Sequence, residues 1–226
     1  MVNFVVPPEM LHPFVPAGTE LDFWNGKCYV SLVGFLFLKT RVFGISVPMH
    51  RNFEEVNLRF YVRRQAADGS RRGVVFIKEI VPRRAIAWTA RTFYNENYIA
   101  LPMRHRLELE NGEARSVLYT WLCGKGGANL LTITTRGAAR SLPPNSEAVF
   151  IAEHYWGYSR QRDGSTLEYQ VEHPSWRVQE ASSAKVEGDF AELYGRPLAE
   201  ILNRPPASAF LAEGSPVIVR KGARLE

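Results

Sequence analysis

The sequence predicts a mainly β protein with a few short helices. Three observations carry that expectation. Segments rich in Val, Ile, Phe, Tyr and Thr recur along the chain, and several alternate apolar with polar residues at the period of two that a strand imposes. Turn signals, Asp68-Gly69, Asn111-Gly112 and Asp163-Gly164, separate pairs of those segments. Stretches with helical spacing are few and short. Many short strands joined by tight turns make a sandwich or a barrel.

In order along the chain, residues 1–26 carry Pro7-Pro8, Pro13, Pro16 and Gly18, and read as an ordered arm or lid rather than a strand. Lys27 to Leu38 (KCYVSLVGFLFL) reads as a strand buried on both faces. Gly44 to His50 reads as a loop because Pro48 would interrupt a ladder. Phe53 to Arg63 alternates: Val56, Leu58, Phe60 and Val62 share one face, and Glu55, Asn57, Arg59 and Tyr61 the other. Periodicity alone favours a polar face in water over one lining a barrel interior. Gly73 to Ile80 is a further strand. Its Lys78, set among Phe76, Ile77 and Ile80, reads as pointing to solvent, with a desolvated amine as the alternative.

Arg83 to Phe93 has helical spacing at Ile86, Ala90 and Phe93, and Tyr94 to Asn97 turns the chain. Ile99 to Glu110 and Ala114 to Leu122 form a hairpin about Asn111-Gly112, and Asn129 to Arg136 is the next strand. Ser146 to His154 reads as a helix capped by Ser146. Tyr155 to Gln161 and Thr166 to His173 form a hairpin, and Trp176 to Val186 is a strand. Phe190 to Tyr194 and Leu198 to Asn203 are short helical pieces. A closing hairpin pairs Ala207 to Leu211 with Pro216 to Arg220 about Glu213-Gly214. No repeat or linker divides the chain, so one domain is expected over residues 1–226, with 1–26 as an N-terminal arm.

Composition narrows the function classes. A hydrophobic fraction of 46% supports a packed core. The net charge of +5 is mildly basic, but acidic residues interrupt the basic runs, so nucleic acid is not an expected partner. Arg63–Arg64 and Arg71–Arg72 flank Asp68-Gly69 and read as a solvated hairpin tip. Cys28 and Cys123 read as reduced core residues. The N-terminus lacks a signal-peptide pattern, and the longest apolar run, Cys28 to Leu38, is short of the roughly 20 residues a span requires. A soluble, cytoplasmic protein without a membrane partner is expected. GxGxxG, GxxxxGK[ST] and GxSxG are absent in the required contexts, Gly124 to Gly127 lacks a strand–loop–helix setting, and no histidines are spaced HxH or HExxH. No cofactor and no metal are expected, and oligomeric state is not readable.

One stretch combines aromatic and polar residues in the manner of a pocket lining. Arg83 to Met103 crowds Trp88, Phe93, Tyr94 and Tyr98 around Arg91, Asn95, Glu96 and Asn97.

Its neighbourhood also carries a resemblance. VPMHRNFEEVNLRFYVR from Val47, the GVVF strand, ARTFYNENY, EHYWGYSR, EYQVEHPSW and SAFLAEGSPVIVRKGARL together resemble the bacterial family called domain of unknown function 2071, over nearly the whole chain. That family is in turn similar to acetoacetate decarboxylase, which implies an antiparallel β-barrel with an internal pocket. The decarboxylase forms a Schiff base between a lysine and a β-keto acid, with a second lysine beside the first, in the pattern G-R-E-x-x-x-[YF]-P-K-K. Here the run from Ala90 is A-R-T-F-Y-N-E-N-Y-I. Arg91 matches the arginine, Asn97 takes the proline position, and Tyr98 and Ile99 take the two lysine positions. The glutamate of that family's Y-x-E strand matches Glu55.

The resemblance therefore implies a pocket with Glu55 and Tyr98 as acid–base residues and Asn57, Arg59, Arg91 and Tyr94 as ligand-binding residues. The ligand implied is a small anionic or oxo acid. Any reaction would be lyase- or hydrolase-like acid–base chemistry, and not Schiff-base decarboxylation, because tyrosine cannot form an iminium. The alternatives are a non-enzymatic ligand-binding or interaction protein, and a purely structural ion pair of Glu55 or Glu96 with Arg91 or Arg59.

Overall fold

A computed structural model describes residues 1–40, 52–85, 87, 95, 97–124 and 127–225. The strands are β1 (Val2–Val6), β2 (Glu20–Leu21), β3 (Cys28–Phe37), β4 (Phe53–Ala66), β5 (Gly69–Val81), β6 (Tyr98–Ala100), β7 (Met103–Glu110), β8 (Glu113–Leu122) and β9 (Ala128–Ser141). They continue with β10 (Trp156–Arg160), β11 (Thr166–Glu172), β12 (Arg177–Glu187), β13 (Ser208–Ala212), β14 (Ile218–Val219) and β15 (Ala223–Leu225). The helices are α1 (Glu147–Ala152), α2 (Ala191–Tyr194) and α3 (Arg196–Leu202). The protein is mainly β, as its patterning requires.

The strands join in the order β14-β11-β10-β5-β4-β3-β1-β13-β12-β9-β8-β7, with β15 on β11, β2 on β4 and β6 on β5. This corrects the closed antiparallel barrel. Among the described residues the two ends of the path do not pair, and the sheet is mixed, because β10 and β6 both run parallel to β5. Parallel neighbours need a crossover instead of a hairpin. Each reaches β5 after a long excursion, β6 through residues 82–97 and β10 after α1.

The two halves of the path stack. Val56, Leu58, Phe60 and Leu32 pack in one buried cluster with Tyr119, Trp121, Leu131 and Ile133, closed at one end by Phe190, Leu198 and Leu202 of the helical region. The layers approach closely at Gly34: a Cβ there would lie 2.7 Å from the Tyr119 ring.

The opposite face of the first layer is also covered, which corrects the expectation that the polar face of β4 is in water. Phe150 and Ile151 of α1 lie over Tyr29, Val33, Tyr61 and Val74, with the Tyr61 and Phe150 rings 5.3 Å apart. Ser146 caps α1, its Oγ accepting from the Val149 N–H at 3.2 Å. Buried polar groups pin this layer. Ser31 Oγ donates to Asn3 Oδ1 at 2.7 Å and meets Tyr61 OH at 2.6 Å, while Asn3 Nδ2 donates to Ser208 Oγ at 2.9 Å. Tyr29 OH and Ser208 Oγ both donate to the Glu147 carboxylate on α1.

Other expectations are corrected as well. Residues 2–6 are a strand within the sheet, paired on both sides, because Val2, Phe4 and Val6 alternate inward and that pattern outweighs the prolines after it. The last two segments form no hairpin: β13 pairs with β1 and β12, and β14 with β11. Pro102 splits the strand expected from Ile99 to Glu110 into β6 and β7. The arginines beside the Asp68-Gly69 turn are only partly solvated. Arg71 lies 4.2 Å over the Trp156 ring and bonds Glu168 at 2.5 Å, and Arg72 reaches inward to Asp22 at 2.6 Å. The loop expected at Gly44 to His50, and most of the helix and turn expected at Arg83 to Asn97, lie outside the described residues. Cys28 and Cys123 are buried and form no disulfide. Among the described residues no helix is long and apolar enough to cross a membrane.

Candidate functional site

Three neighbouring strands bring a carboxylate, an amide and a phenol together. Strand β4 contributes Glu55 and Asn57 from one face, two positions apart. Strand β5 sets Glu79 opposite Asn57, and β6 sets Tyr98 beside Glu79. Glu55, Asn57 and Glu79 are each no more than 2% exposed. Tyr98 OH donates to Glu55 Oε2 at 3.0 Å, and Asn57 Nδ2 donates to Glu55 Oε1 at 3.0 Å. Tyr98 packs against the buried cluster of Phe53, Val81 and Ala87, which helps to aim its hydroxyl.

Burial disfavours the Glu55 carboxylate, while the hydrogen bonds from Asn57 and Tyr98 favour it. Burial wins, and the carboxyl is pushed up to about 7. A group that titrates near neutrality inside a dry site can both take and give a proton under ordinary conditions.

Two same-face neighbours of Glu55 carry unspent polar atoms. Asn57 Oδ1 and Arg59 Nε are buried and have no hydrogen-bond partner among the described residues. Arg59 Nη2 donates to Ile151 O at 3.2 Å, which turns its guanidinium under α1.

A bulge in β5 decides where Lys78 goes. Leu58 pairs with Lys78 and Arg59 with Phe76, so Ile77 is the extra residue. Lys78 therefore shares the face of Leu58, opposite to that of Asn57 and Glu79. It is close enough to Cys123 for its charge to act on that thiol. The structure thus brings Glu55, Asn57 and Tyr98 into contact, places Arg59 along the same strip, and puts Lys78 elsewhere. Arg91 and Tyr94 lie outside the described residues.

Sequence reasoning missed Glu79 as a site neighbour. Its signal was present: an acid inside an otherwise apolar strand run must be solvated, paired or placed in a cavity. It missed His154 too, a buried imidazole stacked on Tyr61 at 4.7 Å, with Arg72 Nη2 3.5 Å from its Nε2.

A cleft of about 170 Å³ opens where β10 leaves β5, between Phe76, Ile77, Asn95, Asn97, Ser159 and Arg160. None of Glu55, Asn57, Arg59 or Tyr98 lines it.

Burial, then the charges of Arg72 and Arg59, hold His154 well below the usual value of 6.5. The unfolded chain therefore takes up a proton that the native imidazole refuses. The stability tied to His154 is complete above pH 6.5 and is lost as the pH falls below it. His154→Gln is expected to flatten the acid limb of thermal stability between pH 6.5 and 5. A variant with an acid limb as steep as the parent's would remove His154 from this role.

A family model described as an uncharacterized conserved protein, domain of unknown function 2071, matches residues 1–216. The uncharacterized protein YqjF of Bacillus subtilis (strain 168) is 26% identical over 199 residues, spanning 88% of this chain and 79% of its own. Among solved structures, acetoacetate decarboxylase from Legionella pneumophila superposes with a TM-score of 0.66 at 11% identity, covering 100% of this chain and 83% of its own. An acetoacetate decarboxylase-like enzyme from Sphingomonas wittichii RW1 superposes at 0.62 and 13%, covering 100% and 89%. The enduracididine biosynthesis enzyme MppR, in complex with pyruvate, superposes at 0.57 and 11%, covering 83% and 73%. At such identities the likeness to these structures is one of fold.

Proposed function

The chain belongs to the family of domain of unknown function 2071 proteins, and on that footing we propose that it binds a small anionic oxo acid and acts on it by acid–base chemistry, without a Schiff base. The observation that carries the reading is Glu55: buried, titrating at about 7, and bonded to the Tyr98 hydroxyl at 3.0 Å. A carboxyl tuned to the working pH is suited to shuttling a proton to and from the carbon beside a ketone. Tyr98, at the position where the decarboxylase pattern has an amine, offers a hydroxyl to the ketone oxygen. Arg59 offers a guanidinium to the ligand's carboxylate, and Asn57 Oδ1 an acceptor. Arg91 and Tyr94 complete the proposed set. MppR, of the same fold, holds pyruvate.

Pyruvate and acetoacetate are the probes. In deuterium oxide the protein is expected to exchange the hydrogens beside the ketone of pyruvate, and Tyr98→Phe and Arg59→Leu to slow that exchange. Borohydride added to the mixture is expected to leave the protein mass unchanged. A reduced adduct on Lys78 would overturn the Schiff-base clause, and absence of both binding and exchange would overturn the whole reading. The other reading is a binding protein that kept the fold and lost catalysis. Tyr98 and Ile99 at the two lysine positions favour it, and calorimetric binding of either acid without exchange would select it.

A further inference from the structure

Strand β7 ends the sheet, and among the described residues β8 is its one strand neighbour. Every residue from Arg104 to Glu110 is exposed. Among the described residues the outer edge is therefore an open row of backbone donors and acceptors. Natural edges are blunted by charged side chains, by proline or by a bulge in the edge strand itself. This one has neither proline nor bulge, and its charges are of both signs, so they oppose some pairings and favour others. The irregularity beside Glu108 inserts its extra residue, Arg115, into β8 and leaves β7 regular.

The order of side chains on this edge is inverted about one residue. It reads Arg104-His105-Arg106-Leu107-Glu108-Leu109-Glu110. An antiparallel copy related by a two-fold axis at Leu107 sets Arg104 opposite the partner's Glu110 and Arg106 opposite the partner's Glu108. Symmetry repeats each pair. His105 then faces the partner's Leu109, and Leu107 faces its own copy. Moving the axis by one residue puts Arg106 or Glu108 opposite itself, which is repulsive. The charge pattern thus selects one register as well as one orientation.

The other face of the strand agrees. Leu107 and Leu109 are 46% and 61% exposed. They extend the face on which Met103 packs against the core, and Leu107 lies beside Val117 of β8. Self-pairing would cover both leucines. Backbone direction agrees too. Leu122 N donates to Pro102 O at 3.0 Å, so even-numbered residues of this segment turn their backbone groups toward β8. Odd-numbered ones, Leu107 included, turn theirs outward. We propose that β7 pairs with β7 of a second copy, making a two-fold dimer whose sheet continues across both chains.

Sedimentation of the intact protein over a concentration series tests this. The parent is expected to dimerise, and Arg106→Glu to weaken the dimer on the order of tenfold or more by setting like charges opposite each other. Arg106→Glu combined with Glu108→Arg should restore it, since the pair is only exchanged. Arg106 and Glu108 are 74% and 51% exposed, so neither change threatens the fold. Leu107→Cys should give a covalent dimer with a short bismaleimide, because the residue meets itself at about 5.5 Å between Cα atoms. The native cysteines are buried. A parent that stays monomeric, a dimer indifferent to Arg106→Glu, or a dimer that Leu107→Cys fails to link would each overturn the assignment.

Discussion

Glu55→Gln is expected to abolish hydrogen exchange on pyruvate while leaving the protein folded and, above neutral pH, more stable than the parent. The Glu55 carboxyl titrates at about 4.5 in the unfolded chain and about 7 in the native state. Between those values the native protein holds a proton that the unfolded chain has released. Raising the pH through this window therefore favours the unfolded chain, by an amount that levels off above about 7. The full difference is on the order of 3 kcal/mol at 1.36 kcal/mol per pH unit. Glutamine has the shape of the protonated acid and does not ionise. The variant and parent should melt together near pH 4 and separate above pH 7, with the variant higher by up to roughly 10 °C for a chain of this length. A structural ion pair predicts the opposite sign. Removing one partner of a buried pair costs about 3–5 kcal/mol, so the variant would then melt well below the parent at pH 8. That result would assign Glu55 to holding the fold and withdraw it from the proposed chemistry.

The pairing of Glu55 with Tyr98 was legible because two local signals survive in sequence. One is the alternation that puts Glu55, Asn57, Arg59 and Tyr61 on one side of a strand. The other is the position of Tyr98 in a run that resembles a known lysine motif. Burial of that polar face was not legible. Periodicity reports which residues share a face and is silent about what covers it. Over Arg59 and Tyr61 the cover is α1, nearly ninety positions later in the chain, and its docking depends on Asn3, Ser31 and Tyr61, scattered over three strands. The side taken by Lys78 was illegible for a related reason. A bulge needs no special residue: Ile77 is ordinary strand sequence, yet its insertion turns Lys78 away from Asn57. The mixed sheet was the third illegible feature. Hairpin signals predict neighbours that are adjacent in sequence, and the parallel joints of β5 with β6 and β10 have none.

The parallel joint between β5 and β10 is a place where a single methyl group is expected to act strongly on the fold. Gly73 and Gly157 lie there in adjacent register, Gly73 beside Trp156 and Gly157 beside Val74. Neither has a positive φ, so space alone excludes a side chain. A Cβ on Gly73 would lie 2.5 Å from the Tyr158 ring and 2.7 Å from the Trp156 carbonyl oxygen. A Cβ on Gly157 would lie 2.2 Å from the Tyr169 ring, and its nearest atoms all belong to that one side chain. Both rings are buried, so each alanine should destabilise the protein by about 1–3 kcal/mol or more. Their rescue should differ. Tyr169→Ala removes the three nearest atoms around Gly157, so in a double-variant cycle Gly157→Ala should lose most of its cost on the truncated background. Tyr158→Ala leaves the Trp156 carbonyl where it was, and that oxygen moves only if β10 moves. Gly73→Ala should keep most of its cost on the Tyr158→Ala background. Equal rescue at both positions would mean that β10 shifts freely against β5, and the joint would then not be the rigid seam that the parallel register implies.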